Sequence, residues 1–105
     1  MRKAQRDKGR RGQAEFGNLI RSRDWDVVDT SSGMACEDMV AKDADGVYWS
    51  IEVKNTVAIT TAHRAQAIAQ GNKRKLPWLL ASKIAGTSAW LIQRKGEKPV
   101  VWSEA

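Results

Sequence analysis

The sequence is poor in the residues that cross-link small domains through disulfides or zinc. Cys36 is the one cysteine among 105 residues, so no disulfide can form within the chain and a cysteine-rich zinc site is not expected. His63 is the one histidine, which excludes a site built on several histidines and argues against a hydrolytic zinc centre. The single cysteine fits a reducing, intracellular setting, and we expect a cytoplasmic protein.

Long apolar stretches are also missing. No run approaches the length needed to cross a membrane, and the basic start MRKAQRDKGRR is not followed by the apolar region of a secretory signal. A chain of 105 residues suits one small domain. We expect a flexible basic arm over residues 1–9 and a single domain over residues 10–105, with no membrane contact and no small-molecule cofactor.

Positive charge is present in excess. The formal net charge is +6, six of the first eleven residues are Arg or Lys, and a second basic run covers residues 73–75. Acidic residues concentrate instead between Asp24 and Glu52. Basic ends around an acidic middle are typical of a protein that binds a polyanion and holds carboxylates near it, so we expect nucleic acid as partner. The alternative is the solvated surface of a basic protein.

The order of hydrophobic patterns predicts a mixed α/β domain. A helical pattern covers residues 12–23, and strand patterns cover 25–30, 37–42 and 47–55. Thr60 or Thr61 can begin a second helix that runs to about Gln70 and stops at Gly71, before two or three further strands. The expected order is α-β-β-β-α-β-β, a small mixed central β-sheet flanked by helices.

The strand at 47–55 carries the candidate chemistry. Side chains alternate along a strand, so Glu52 and Lys54 share one face and apolar residues occupy the other. The turn signal DADG at 43–46 makes this strand the second half of a hairpin, and the first half carries Asp38. Pairing within the hairpin can place Asp38 beside Glu52.

Two neighbouring carboxylates repel each other unless a cation lies between them. Mg²⁺ accepts one or two carboxylates together with water and phosphate oxygens, and the backbone carbonyl of Val53 can add a ligand. Lys54 can then orient the attacking water or stabilise the charge that builds on a phosphate. The pattern therefore favours metal-dependent phosphodiester hydrolysis, with a cross-strand salt bridge on an exposed strand face as the alternative.

Over residues 8–93 the order of motifs resembles the PD-(D/E)xK nuclease superfamily, and within it small Holliday-junction resolvases and their phage-encoded relatives. The matching stretches are KGRRGQAEF with Glu15, the loop TSSG, Asp38, EVK with Glu52 and Lys54, and HRAQA…GNKRKLP with Gln66 or Gln70. Glu37 precedes the aspartate where the superfamily has proline or an apolar residue. This departure leaves open which acid binds metal, and the spacing favours Asp38.

The resemblance implies a restriction-endonuclease-like fold and a Mg²⁺-dependent endodeoxyribonuclease acting on branched DNA, with Mn²⁺ able to substitute and a homodimer as the active form in a bacterial or phage-infected cell. It assigns catalytic roles to Glu15, Asp38, Glu52, Lys54 and Gln66, and metal contacts to Asp38, Glu52, the Val53 carbonyl and, through water, Glu15. The candidate DNA contacts are Arg6, Lys8, Arg10, Arg11, Ser31, Ser32, Lys73, Arg74 and Lys75. The alternatives are a phage or mobile-element nicking nuclease of the same fold that acts on duplex or replication intermediates, a basic DNA-binding protein that does not cleave, and, more remotely, an RNA-binding protein.

Overall fold

The computed structural model describes residues 2–32, 37–54 and 60–103. Within these ranges the chain forms two helices and six strands: α1 (Arg2–Ser22), β1 (Asp26–Ser32), β2 (Glu37–Lys42), β3 (Tyr48–Lys54), α2 (Thr61–Arg74), β4 (Trp78–Lys83), β5 (Trp90–Arg94) and β6 (Val100–Trp102). The mixed α/β class is confirmed. The pattern α-β-β-β-α-β-β is one strand short, because residues 100–102 pair with β5 as an edge strand.

The six strands form one sheet in chain order from β1 to β6. Neighbouring strands are antiparallel, except that β3 and β4 run parallel. A parallel neighbour requires a crossover connection, and α2 supplies it. The expected small mixed sheet is therefore present, and α2 packs mainly against its two central strands, β3 and β4.

The apolar face of α1 packs on one side of the sheet. Phe16, Leu19 and Ile20 are buried in a single cluster with Ile51 and Val53 of β3. Their helical spacing is the signal from which this helix was predicted. Because residues alternate along β3, Ser50 and Glu52 point to the opposite face of the sheet, where α2 lies.

The first helix is longer than its apolar pattern. It begins at Arg2 instead of near Gly12, so the backbone of residues 2–9, expected as an arm, is helical. These residues have no apolar face, and sequence periodicity therefore gave no helix signal there. The side chains of Arg6, Lys8 and Arg10 lie outside the described part of the structure.

The second helix begins as predicted and ends later. Thr60 is the N-cap, and its Oγ1 accepts a hydrogen bond of 3.1 Å from the backbone N–H of His63. The predicted stop at Gly71 is wrong, because the helix continues to Arg74 and Lys75 takes the left-handed conformation at φ 59°. Gly71 lies inside the helix, where an added Cβ would be 2.9 Å from the carbonyl oxygen of Leu76. Its role is thus close packing of the helix against the chain that enters β4.

The turn of the β2–β3 hairpin is organised by Asp43. Its Oδ1 accepts hydrogen bonds of 2.9 Å from the backbone N–H groups of Asp45 and Val47. Its Oδ2 accepts a third, also 2.9 Å, from Nε1 of Trp49. Gly46 provides the positive φ of 87° that the turn requires. These bonds hold the two strands in one register, which decides what lies opposite each residue of β2.

Candidate active site

The β2–β3 register brings the two predicted carboxylates together. Asp38 is paired directly with Glu52, whereas Glu37 is paired with Val53. Asp38 is 3% exposed and Glu52 is 2% exposed, so both acids lie in the interior next to α2. Directly opposed residues of an antiparallel pair have Cβ atoms about 5 Å apart. The sequence-based choice of Asp38 over Glu37 as the partner of Glu52 agrees with this register.

Lys54 joins the pair as expected from strand alternation. Its Nζ lies 3.8 Å from Oε2 of Glu52, and its side chain is 16% exposed. That separation is an ion-pair contact longer than a hydrogen bond. The ammonium group can therefore neutralise part of the local negative charge and still turn toward a bound anion.

Arg74 supplies a second cation, from α2. Its Nη2 donates to Oδ1 of Asp38 at 3.0 Å, and its Nη1 donates to Oγ of Ser50 at 3.0 Å and to the carbonyl oxygen of Met39 at 3.4 Å. The sequence assigned Arg74 to DNA contact, but the structure turns its guanidinium inward onto the hairpin. Helical spacing from the buried Ala67 and Gly71 to Arg74 was a usable signal for this orientation.

Gln13 of α1 is a site residue that sequence reasoning missed. Its Nε2 donates a hydrogen bond of 2.7 Å to the backbone carbonyl of Asp38. Gln13 precedes Phe16 by three residues and Ile20 by seven, so it lies on the sheet-facing side of α1. That spacing could have singled it out. The bond ties α1 to the strand position that carries the aspartate.

Glu15 and Gln66 do not join the carboxylate pair. Oε2 of Glu15 accepts a hydrogen bond of 2.7 Å from Nζ of Lys83, and the Glu15 side chain is 54% exposed. Lys83 follows Ala81, a member of the α1-side core, by two residues, so the ion pair belongs to the face opposite Glu52. Gln66 is exposed on α2. Neither side chain contacts Asp38 or Glu52 in the described structure.

The Glu15–Lys83 pair lines a shallow pocket of about 450 Å³, together with Asn18, Thr87 and Trp90. The pocket lies between α1 and the ends of β4 and β5. The resemblance predicted that Glu15 reaches the metal shell. The geometry instead gives Glu15 a lysine partner on another surface.

The remaining candidate DNA contacts fall into two groups. Lys73 and Lys75 are exposed at the end of α2, and Arg11 is exposed on α1. Ser31 and Ser32, expected in a loop, belong to the end of β1, where the Cα of Ser31 is paired with that of Asp38. The side chains of Ser31 and Ser32, like that of Glu37, are outside the described residues.

The donor chemistry of the pair fits a hard divalent cation. Mg²⁺ is held in many sites by only one or two carboxylates, with water and substrate oxygens as the other ligands. Asp38 and Glu52 meet that minimum as opposed oxygen donors. Over residues 2–32, 37–54 and 60–103, no group of three or more His, Cys, Asp or Glu side chains is arranged to hold a metal. Any metal here would therefore depend on two carboxylates and on oxygens from outside the chain or from its backbone.

Comparison with family models, curated proteins and solved structures finds no match for this chain. Nor does either helix of the described ranges have the length and apolar character of a membrane-spanning segment. The assignment of function therefore depends on the site and on the sequence resemblance alone.

Proposed function

We propose that this protein is a Mg²⁺-dependent endodeoxyribonuclease of the restriction-endonuclease-like class that cleaves branched DNA, with a Holliday junction as the first choice of substrate. The single observation that carries the proposal is the direct pairing of Asp38 with Glu52 on a buried strand face, with Lys54 at 3.8 Å from Glu52. Two adjacent buried acids are costly for stability, and metal-dependent hydrolysis gives them a role.

In this mechanism Asp38 and Glu52 would hold the cation, and the carbonyl of Val53 would add a ligand. Bound Mg²⁺ would supply a more acidic water and neutralise charge on the phosphate. Lys54, held beside Glu52, would donate a hydrogen bond to a non-bridging phosphate oxygen as negative charge builds there. The water oxygen attacks phosphorus, the opposite P–O ester bond breaks, the water proton passes to solvent and the leaving alkoxide takes up a proton.

Backbone charge, not base sequence, would direct binding to DNA. The first helix carries a dense basic segment, and Lys73 and Lys75 are exposed at the end of α2, near the Arg74–Asp38 contact. Lysine and arginine contacts to phosphate position a protein on DNA but carry no sequence information. Two nicks placed symmetrically on a junction require two sites, so the proposal includes a homodimer.

The test is a cleavage panel of synthetic junction, flap and duplex DNA with Mg²⁺, Mn²⁺ or EDTA. We expect metal-dependent cleavage of the junction, lost in Glu52→Gln while junction binding is retained, because the substitution removes a ligand charge and keeps the side-chain size. The matched control is Glu97→Gln, which removes an exposed carboxylate that pairs with Arg94, and cleavage should be unchanged. If the wild-type protein cleaves none of these substrates, the proposal is refuted.

Two ion pairs favour a second function, a basic DNA-binding protein that does not cleave. Asp38 already has a cationic partner in Arg74, and Glu15 is paired with Lys83. In that case the wild-type protein binds the junction with the same affinity in Mg²⁺ and in EDTA and leaves it intact. A third outcome, cleavage of duplex or replication intermediates in preference to the junction, would indicate a nicking nuclease of the same fold.

A further inference from the structure

We infer that Arg74 is an internal counter-cation of the Asp38–Glu52 pair, which opposes divalent metal binding in the free protein. The inference rests on the proposed function, because it concerns the metal affinity of the same two carboxylates. Arg74 belongs to the basic run 73–75, whose sequence suggests contact with phosphate. The inference gives it a different role.

The geometry of Arg74 is that of a residue built into the site. The guanidinium donates to a carboxylate, a hydroxyl and a backbone carbonyl, all on β2 or β3. The side chain of Arg74 is 18% exposed and that of Asp38 is 5% exposed, so solvent screens the contact only weakly. By contrast, the flanking Lys73 and Lys75 are exposed.

Both acids already have a cation beside them. Nη2 of Arg74 lies 3.0 Å from Oδ1 of Asp38, and Nζ of Lys54 lies 3.8 Å from Oε2 of Glu52. A divalent cation that enters this site adds two positive charges next to these cations, in a poorly screened interior. The cation must also share Oδ1 of Asp38 with Arg74 or displace the guanidinium from it. Removal of the Arg74 charge should therefore tighten metal binding.

Arg64 is a matched control on the same helix. Its Nε donates a hydrogen bond of 3.0 Å to Oε1 of Gln93, so it also links α2 to the sheet. Gln93 is on β5, three strands from β2, which is about 14 Å at the usual strand spacing. Arg64→Gln and Arg74→Gln remove the same global charge and each removes side-chain bonds from α2 to the sheet, one at Arg64 and three at Arg74. Only the second removes a cation from Asp38.

The experiment is calorimetric titration of Mn²⁺ into the DNA-free protein near neutral pH. We expect Arg74→Gln to bind Mn²⁺ about tenfold more tightly than the wild type, or to bind where the wild type shows no detectable binding. Arg74→Lys keeps the charge and should stay near the wild-type affinity, as should Arg64→Gln. Addition of Glu52→Gln to Arg74→Gln should abolish the gain, because the tightened site uses that carboxylate.

The contrary results separate the two proposals. If the wild type binds Mn²⁺ through Glu52 and Arg74→Gln binds no more tightly, Arg74 is only a structural link and the inference fails while the nuclease proposal stands. If no variant binds Mn²⁺, the inference fails, and the cleavage panel, in which phosphate oxygens of the DNA complete the metal ligands, decides the nuclease proposal separately. Should Arg74→Gln be unfolded alone, thermal unfolding with increasing Mn²⁺ gives the answer: metal-induced folding supports the inference, and its absence refutes it.

Discussion

The hairpin register that creates the carboxylate pair should depend on one side chain, Asp43. We predict that Asp43→Asn destabilises the protein by about 1–2 kcal/mol at neutral pH. Hydrogen bonds to a charged group contribute about 1.5–3 kcal/mol each in favourable cases, and the solvent exposure of this turn reduces the value. Asparagine retains one oxygen acceptor but cannot accept from both the backbone and Nε1 of Trp49, so at least one of the three bonds of 2.9 Å is lost.

The effect should also depend on pH. Burial raises the pKa of Asp43, but hydrogen bonds from Trp49, Val47 and Asp45, with Arg94 nearby, lower it more, so the pKa lies below the ordinary 3.8. A carboxyl whose pKa is depressed on folding contributes stability above its unfolded pKa of about 3.9 and loses it as pH falls through the folded pKa. The stability difference between wild type and Asp43→Asn should therefore shrink below about pH 4.

Urea unfolding followed by tryptophan fluorescence measures both effects, since Trp25 and Trp102 are buried in the core. The control is Asp45→Asn, which removes the same charge from the same turn. It keeps the hydrogen bond to Asp43, because the donor is the backbone N–H of residue 45. Two results would contradict the proposed role of Asp43 in fixing the hairpin register. One is a loss of stability in Asp43→Asn no larger than in Asp45→Asn, and the other is a loss that is the same in acid and at neutral pH.

Two further predictions concern the second helix. Gly71→Ala should lower the free energy of unfolding by about 1–3 kcal/mol, despite the better helix propensity of alanine. The added Cβ would lie 2.9 Å from the Leu76 carbonyl oxygen and 3.1 Å from Cβ of Trp78. Chemical denaturation measures the change, and an unchanged or higher midpoint would contradict the prediction. Lys75→Gly should raise the free energy of unfolding by about 1 kcal/mol in the same assay. Lys75 adopts φ 59° and ψ 40°, a left-handed conformation that is about 1 kcal/mol less favourable for a residue with a side chain than for glycine. A loss of stability would show that the lysine side chain has a structural contact that outweighs this strain.

Local patterns predicted the central part of this fold and not its ends. Period-two alternation and the DADG turn indicated that Asp38 can lie beside Glu52, and the register pairs them directly, because a one-residue slip would turn every side chain of the hairpin to the other face. Thr60 was found because a threonine N-cap is a local signal. The start of α1 and the end of α2 were missed because a polar basic segment has no apolar period and because Gly71 serves close packing, which only the tertiary structure reveals.

The candidate site divides in the same way. Residues on the hairpin were predictable from spacing, but the partners that the helices bring depend on how each helix is rotated against the sheet. Glu15 was expected at the metal and is instead paired with Lys83, while Gln13, two residues earlier, donates to the Asp38 carbonyl. A difference of two helical positions turns a side chain by about 200°, so a motif match on a helix does not fix which face its members occupy.

The two acids have different surroundings, and the proposed chemistry depends on them to different degrees. Asp38 alone could serve as a structural partner of Arg74, since the contact of 3.0 Å links α2 to the hairpin. Glu52 adds a second buried negative charge directly opposite, with Lys54 at 3.8 Å, beyond hydrogen-bond range. A buried ion pair contributes little net stability, and a second acid beside it increases the desolvation cost. The Asp38–Arg74 contact links α2 to the hairpin whether or not a metal binds, whereas the proposed chemistry requires Glu52 as the second acid. Glu52→Gln is therefore the decisive substitution for the proposal.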